Sequence, residues 1–143
     1  MTTSTPGRSA TSDFRSLTRT ECEERLAAGG AGRVAWNAPD GPQLLPVTYV
    51  FYNGDIVFRT STEGVLASLR DRTAVAFEVD EIDQDRRTGW SVLVRGTAQE
   101  IRSSYDLVQL WSTEAVVPWA SGKRTLFIAV APRTVSGRVV GEP

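Results

Sequence analysis

The sequence predicts an α+β fold: a small antiparallel β-barrel of six to seven strands with two or three short helices at its ends. Three observations carry this. About seven runs rich in Val, Ile, Thr, Phe, Tyr and Trp are spread along the 143 residues, the chemistry of pleated, half-buried strands. Most are joined by short links with turn residues, notably Pro39-Asp40-Gly41 and Asn53-Gly54, which favour antiparallel neighbours. Helical patterns are few and short, so one open sheet of this size would leave its edges bare. Closure into a barrel removes them.

In chain order, residues 1–16 are rich in Ser and Thr, with Phe14 the only aromatic. That composition buries too little to fix itself and reads as a flexible tail; residues 17–143 read as one domain. A first helix is expected over 21–28, with Thr20 and Glu23 as a capping box and Gly29-Gly30 as terminators. Strands follow over 32–38, 43–52 and 55–60, the last two joined by Asn53-Gly54, both residues tolerating positive φ. A second helix is expected over 62–71, capped by Ser61, with Leu66 and Leu69 inward. Two longer strands, 74–82 and 90–101, flank a polar loop. Ser103 can cap a third helix through Trp111, with Leu107, Leu110 and Trp111 as its apolar stripe. Residues 112–123 read as an irregular loop, 125–131 as a buried strand and 135–140 as a final one.

Composition removes several functions. Sixteen Lys and Arg against seventeen Asp and Glu give a net charge of -1, which argues against a basic nucleic-acid surface. No histidine is present, which excludes Ser-His-Asp and Cys-His catalysis and His-ligated zinc or haem. The single cysteine, Cys22, forms no internal disulfide and no Cys-x-x-Cys site. The longest aliphatic and aromatic run, residues 126–131, is too short to cross a bilayer, and the N-terminus lacks the apolar core of a signal peptide. The sequence therefore reads as a cytoplasmic protein without membrane or nucleic-acid partners. Glu78, Asp80, Glu81, Asp83 and Asp85 are acidic, but Arg86-Arg87 follow at once. Pairing of Glu78 or Asp80 with Arg95 across a hairpin accounts for them, and no metal site is expected.

Several segments recur in this order in one known family: Gly32-Arg33-Val34-Ala35, Leu45-Pro46-Val47-Thr48-Tyr49, Ile56-Val57-Phe58-Arg59-Thr60, Val75-Ala76-Phe77-Glu78-Val79-Asp80, Gly89-Trp90-Ser91-Val92-Leu93-Val94-Arg95-Gly96, and residues 119–124. Over roughly residues 17–140 the chain resembles the pyridoxamine 5'-phosphate oxidase-like FMN-binding split-barrel family, in its small actinobacterial form. The resemblance implies a split β-barrel and a homodimer with two cofactor sites at its interface. It implies FMN, or a deazaflavin in its place, and flavin-dependent oxidoreductase chemistry on a small-molecule substrate that the sequence does not name. It does not extend to the substrate-binding residues of the pyridoxamine phosphate oxidase reaction. The family also contains members of unassigned activity, so a barrel that binds a ligand or protein without turnover stands as the rival reading.

By position, the resemblance places the cofactor's phosphate tail at Arg59, Thr60, Ser61 and Thr62. A helix start with hydroxyls and a guanidinium is a chemically apt anion cradle; equally, Ser61 can serve as a plain cap and Arg59 as an ion-pair partner. Relatives often carry Lys or Arg where this chain has Val65, and Glu63 adds a repelling charge to the same turn. Pro46 lacks an N–H and interrupts a strand ladder, so backbone at Pro46, Val47, Thr48 and Tyr49 can face a ring edge, or the proline can simply guard an edge strand. Trp90 and Ser91 can wall and contact the ring, or Trp90 can pack in a core or dimer interface. Lys123 and Arg124 fall where related proteins approach the partner subunit's flavin, or form a solvated turn.

Overall fold

The structure is a computed structural model describing residues 14–112 and 124–141. Its elements in order are β1 (Phe14–Ser16), α1 (Arg19–Ala27), β2 (Gly30–Ala38), β3 (Gly41–Tyr52), β4 (Asp55–Thr60), a 3-10 helix (Val65–Arg70), β5 (Thr73–Asp83), β6 (Thr88–Glu100), α2 (Ser104–Trp111) and β7 (Leu126–Val140). All strand pairs are antiparallel, and the ladder runs β7-β4-β3-β2-β5-β6 and returns to β7. The sheet thus closes on itself, which leaves no continuous edge open to another chain. The expected antiparallel α+β barrel is the observed one.

Alternation along the strands fills the barrel. Val34, Tyr49, Phe58, Phe77, Val92, Val94 and Ile128 are fully buried inside it. Phe77 meets Tyr49 edge to face, with centroids 4.9 Å apart. A second apolar cluster lies outside the barrel, where Leu110 of α2 packs on Val57 and Phe127. Tyr52 fastens that helix to the β3–β4 hairpin by donating its hydroxyl hydrogen to Asp106 Oδ1 at 2.8 Å. The hairpin turn is the expected Asn53-Gly54, both residues at positive φ, 51° and 82°.

Several local expectations are corrected. The capping box of α1 uses Thr18 and Glu21, two residues upstream of Thr20 and Glu23: Glu21 N–H donates to Thr18 Oγ1 at 3.1 Å, and Thr18 N–H donates to Glu21 Oε1 at 2.9 Å. Both Thr-x-x-Glu spacings are available. The earlier one is chosen because Leu17 is buried and its N–H is held by Gly137 O at 2.8 Å, which fixes where the chain enters the helix. Glu21 is also gripped by the Arg15 guanidinium at 3.0 and 3.2 Å. That bond, with the Thr18 N–H, lowers its carboxyl from 4.5 to about 2. Phe14–Ser16, at the end of the segment read as a tail, form β1 against Arg138–Val140; residues 1–13 lie outside the described residues.

The helix expected over 62–71 is a 3-10 turn that starts only at Val65. Its cap position is Gly64, with no side-chain cap. Ser61 instead accepts the Glu63 N–H at 3.1 Å, a local turn that competes with helix initiation. The two strands expected at 125–131 and 135–140 are one strand. The ladder to β6 absorbs the proline region by a shift between Arg95 and Gly96, which pair with Thr134 and Pro132 and leave Arg133 as the extra residue. A Cβ at Gly96 would run into the Ala131 carbonyl, so glycine is required at this bulge.

The buried Tyr49 hydroxyl donates to Leu26 O at 2.9 Å and ties β3 to α1. Tyr49→Phe keeps the ring packing and removes that bond. The expected outcome is a loss of about 1 kcal/mol, read as a lower urea midpoint with an unchanged slope.

Candidate functional site

The β3–β4 ladder begins at Tyr52 opposite Asp55 and stops at Tyr49 opposite Phe58. Both strands continue past that point. Thr48, Val47 and Pro46 remain paired to Ala31, Gly32 and Arg33 of β2; Arg59 and Thr60 remain paired to Phe127 and Leu126 of β7. Each strand keeps one neighbour and loses the other, so the barrel wall splits here. An extended register would set Thr48 across from Arg59 and Val47 across from Thr60. Two backbone edges therefore face each other without ladder bonds, and such groups demand partners. Pro46 sits on this free edge, where a missing N–H costs the ladder nothing. Its two sequence readings, edge guard and cleft wall, describe the same place.

The predicted residues around the split divide by exposure. Tyr49 turns its side chain wholly inward, and burial raises its hydroxyl from 10.0 to about 12; only its backbone borders the cleft. Thr60 is buried, Val47 packs on the core, and Thr48 and Ser61 are half-buried. Pro46, Thr62 and Glu63 are exposed, as is Val65. Glu63 therefore lies in solvent reach of the loop read as an anion cradle, and Val65 brings no charge to it.

Among the described residues Arg59 pairs with no acid. Its guanidinium lies 4.2 Å from the Trp111 ring centroid and 5.3 Å from that of Phe127, and Nε donates to Arg124 O at 3.0 Å. Burial among these groups lowers its pKa. The cation–π stack fixes the guanidinium plane under α2 and leaves its terminal nitrogens without a hydrogen bond among the described residues. Trp111, read as part of a helix stripe, is thus a half-exposed lid on Arg59. Arg124 supplies the carbonyl of this arrangement; Lys123 lies outside the described residues.

Trp90 and Ser91 lie elsewhere. They sit on β6, the strand diametrically across the barrel from β3. With Glu78, Asp80, Ile82, Arg87, Arg138 and others they line an open groove of about 530 Å³ on the outer face. Trp90 is half-buried against the core, with the Arg25 guanidinium 4.6 Å from its ring centroid. One chain therefore does not bring Trp90 and Ser91 to the Pro46–Ser61 split.

The acids beside this groove are held by Arg33, not by Arg95. Arg33 Nη1 donates to Glu78 Oε1 at 3.1 Å and to Asp80 Oδ2 at 3.3 Å. The expected partner fails because Glu78 stands opposite Leu93 on β6, whereas Arg33 of β2 stands opposite Glu78 on the other side. Arg33 follows the alternation of β2 and faces outward between buried Gly32 and Val34; which acids it meets is decided by the β2–β5 pairing, which periodicity does not give. Among the described residues no group of three or more acids, cysteines or histidines is placed to hold a metal.

Burial, reinforced by the Asp80 carboxylate and opposed by Arg33, raises Glu78 from 4.5 to about 7. The folded chain then binds this proton more tightly than the unfolded one. Its stabilising contribution is full below about pH 4.5 and is lost as pH rises through about 7. The side chain is 31% exposed, so solvent screening reduces the effect to about 1–2 kcal/mol. Urea midpoints at about pH 5 and pH 8 should fall further in the native chain than in Glu78→Gln, which mimics the protonated acid.

A family model described as "Pyridoxamine 5'-phosphate oxidase" matches residues 18–139. The chain is 31% identical over 132 residues to the Mycobacterium tuberculosis protein Rv0080, covering 88% of this chain and 86% of that one. A solved FAD binding protein from Mycobacterium smegmatis is 30% identical, with a TM-score of 0.77 over 90% of this chain and 100% of the other. A solved FAD-binding protein from Mesorhizobium loti shares the fold, with a TM-score of 0.74 at 23% identity over 91% and 98% of the two chains. With a family match across almost all of the described residues, the chain belongs to the pyridoxamine 5'-phosphate oxidase family.

Proposed function

We propose that the chain is a flavin-dependent oxidoreductase that acts in the cytoplasm as a homodimer and binds its cofactor where two subunits meet. The observation that carries this reading is the split: free backbone donors and acceptors on Pro46–Thr48 face the Arg59–Ser61 edge. The polar edge of an isoalloxazine ring needs such groups, and its faces need apolar walls. The residues present fit a ring better than they fit a terminal phosphate. Arg59, Ser61 and Thr62 would hold the polar tail, yet Glu63 stands beside it and Val65 contributes nothing. The FAD-binding description of the Mycobacterium smegmatis relative, at 30% identity, supports a flavin.

The separation of the expected site residues supports a dimer. Trp90 and Ser91 lie on the strand opposite the split, so they can reach a cofactor in the cleft only from a second subunit. Arg124 and Lys123 would approach by the same route. A bound flavin supplies two-electron redox chemistry. The protein's part is to orient the ring along β3, wall off water and hold the tail, with no histidine required for proton transfer. FMN and a deazaflavin are the mononucleotide and deaza alternatives for this cleft.

Glu63 and Val65 favour a second reading, a barrel that binds a ligand or protein without turnover. One titration separates the two. Fluorescence titration of the purified chain with FMN, FAD and a deazaflavin cofactor should give micromolar binding of at least one of them; no binding of any supports the second reading. Glu63→Gln combined with Val65→Lys removes a repulsion and adds an attraction near a surface, about 1–2 kcal/mol together. FMN should then bind about tenfold more tightly, and an unchanged affinity would show that the tail lies elsewhere. Light scattering should give twice the mass of one chain.

A further inference from the structure

The mouth of the barrel beside the split gathers Thr60 of β4, Leu126 of β7, Thr73 of β5 and Glu100 of β6. The 3-10 helix lies over this mouth with Leu69 buried in the core. Its start follows the Ser61–Gly64 loop. Its last residue, Arg70, opens a second groove of about 570 Å³ lined by Arg70, Asp71, Arg72, Gln99, Glu100 and Arg102.

Three guanidiniums face two carboxylates here, and one carboxylate is already shared. Glu100 Oε1 lies 3.8 Å from Arg70 Nε and 3.6 Å from Arg102 Nη2. At those separations the contacts are ion pairs without hydrogen bonds. Neither arginine makes a hydrogen bond among the described residues, so the donor forks of both stay unspent. Arg72 has neither ion pair nor hydrogen bond there. It is also held at a φ of 50°, a region uncommon for any residue other than Gly, Asn or Asp. Asp71 is exposed. The groove therefore keeps an excess of positive charge and planar donors, the chemistry suited to a phosphoryl oxygen.

We propose that this groove binds a phosphoryl group and, resting on the flavin reading above, that the group belongs to the diphosphate side of a flavin dinucleotide. The six residues of the 3-10 helix, at about 2 Å each, span about 12 Å, comparable to the reach of a diphosphate and its ribose. A mononucleotide ends as a dianion beside Glu63. A dinucleotide spreads single charges along its diphosphate and carries them past Glu63 toward Arg70, Arg72 and Arg102. The chain then prefers the dinucleotide to FMN.

The test is calorimetric titration of the full chain at low salt with FAD, FMN and ADP, for the native sequence, Arg102→Gln and Arg72→Asn. Asparagine tolerates positive φ, and both sites are exposed, so the fold is retained. FAD is expected to bind more tightly than FMN, and each substitution to weaken FAD and ADP about tenfold with FMN unchanged. Equal affinities for FAD and FMN, or FAD binding indifferent to both substitutions, overturns the proposal. Arginine-dependent ADP binding without any flavin binding leaves the phosphoryl site standing and overturns the flavin reading alone. Failure to bind ADP and FAD alike overturns the site.

Discussion

Tyr49 is the hinge on which the architecture depends. Its ring is fully buried against Phe77, and its hydroxyl is fixed on the Leu26 carbonyl. It is also the last residue at which β3 still meets β4. Core packing anchors the strand there, so the wall can part immediately beyond without loosening the barrel. An opening of unpaired backbone is costly unless something rigid defines its limit. The buried tyrosine supplies that limit, and α1 braces it from outside.

The same constraint separates two kinds of arginine. Arg59 is clamped between aromatic rings and a carbonyl. Its direction is therefore set before any ligand arrives, and less side-chain entropy remains to be lost on binding. Arg102 is largely exposed on the surface, and an anion held by it must order the side chain first. Preorganisation belongs to Arg59 at the split and adaptability to Arg102 in the second groove.

Much of the fold was legible in the sequence because it rests on local chemistry. Asn53-Gly54 dictates one hairpin, Ser103 caps α2 through the Asp106 N–H at 3.3 Å, and alternation marks the strands. The start of α1 was misread because two identical capping spacings compete, and only the long-range bond from Leu17 to Gly137 decides between them. The break expected in β7 failed because Pro132 is absorbed by a bulge that needs Gly96 thirty-six positions upstream. For the candidate site the sequence offers segments but not their assembly. Pro46, Arg59 and Ser61 lie along the split, whereas the stack of Trp111 on Arg59 and the clasp of Arg33 on Glu78 and Asp80 join residues 45 or more positions apart. Periodicity carries no information about such partners.

β7 borders β6 from Ile128 to Val140, β4 at its beginning and β1 at its end. Three strands thus wait for a segment that follows β2 through β6 in the chain. A nascent chain lacking Leu126–Val140 can assemble β2 through β6 only as an open sheet with two bare margins. Closure is dominated by contacts between distant parts of the sequence, which is the slow class of folding reaction. Until β7 docks, those two margins are open to wrong pairing with another strand.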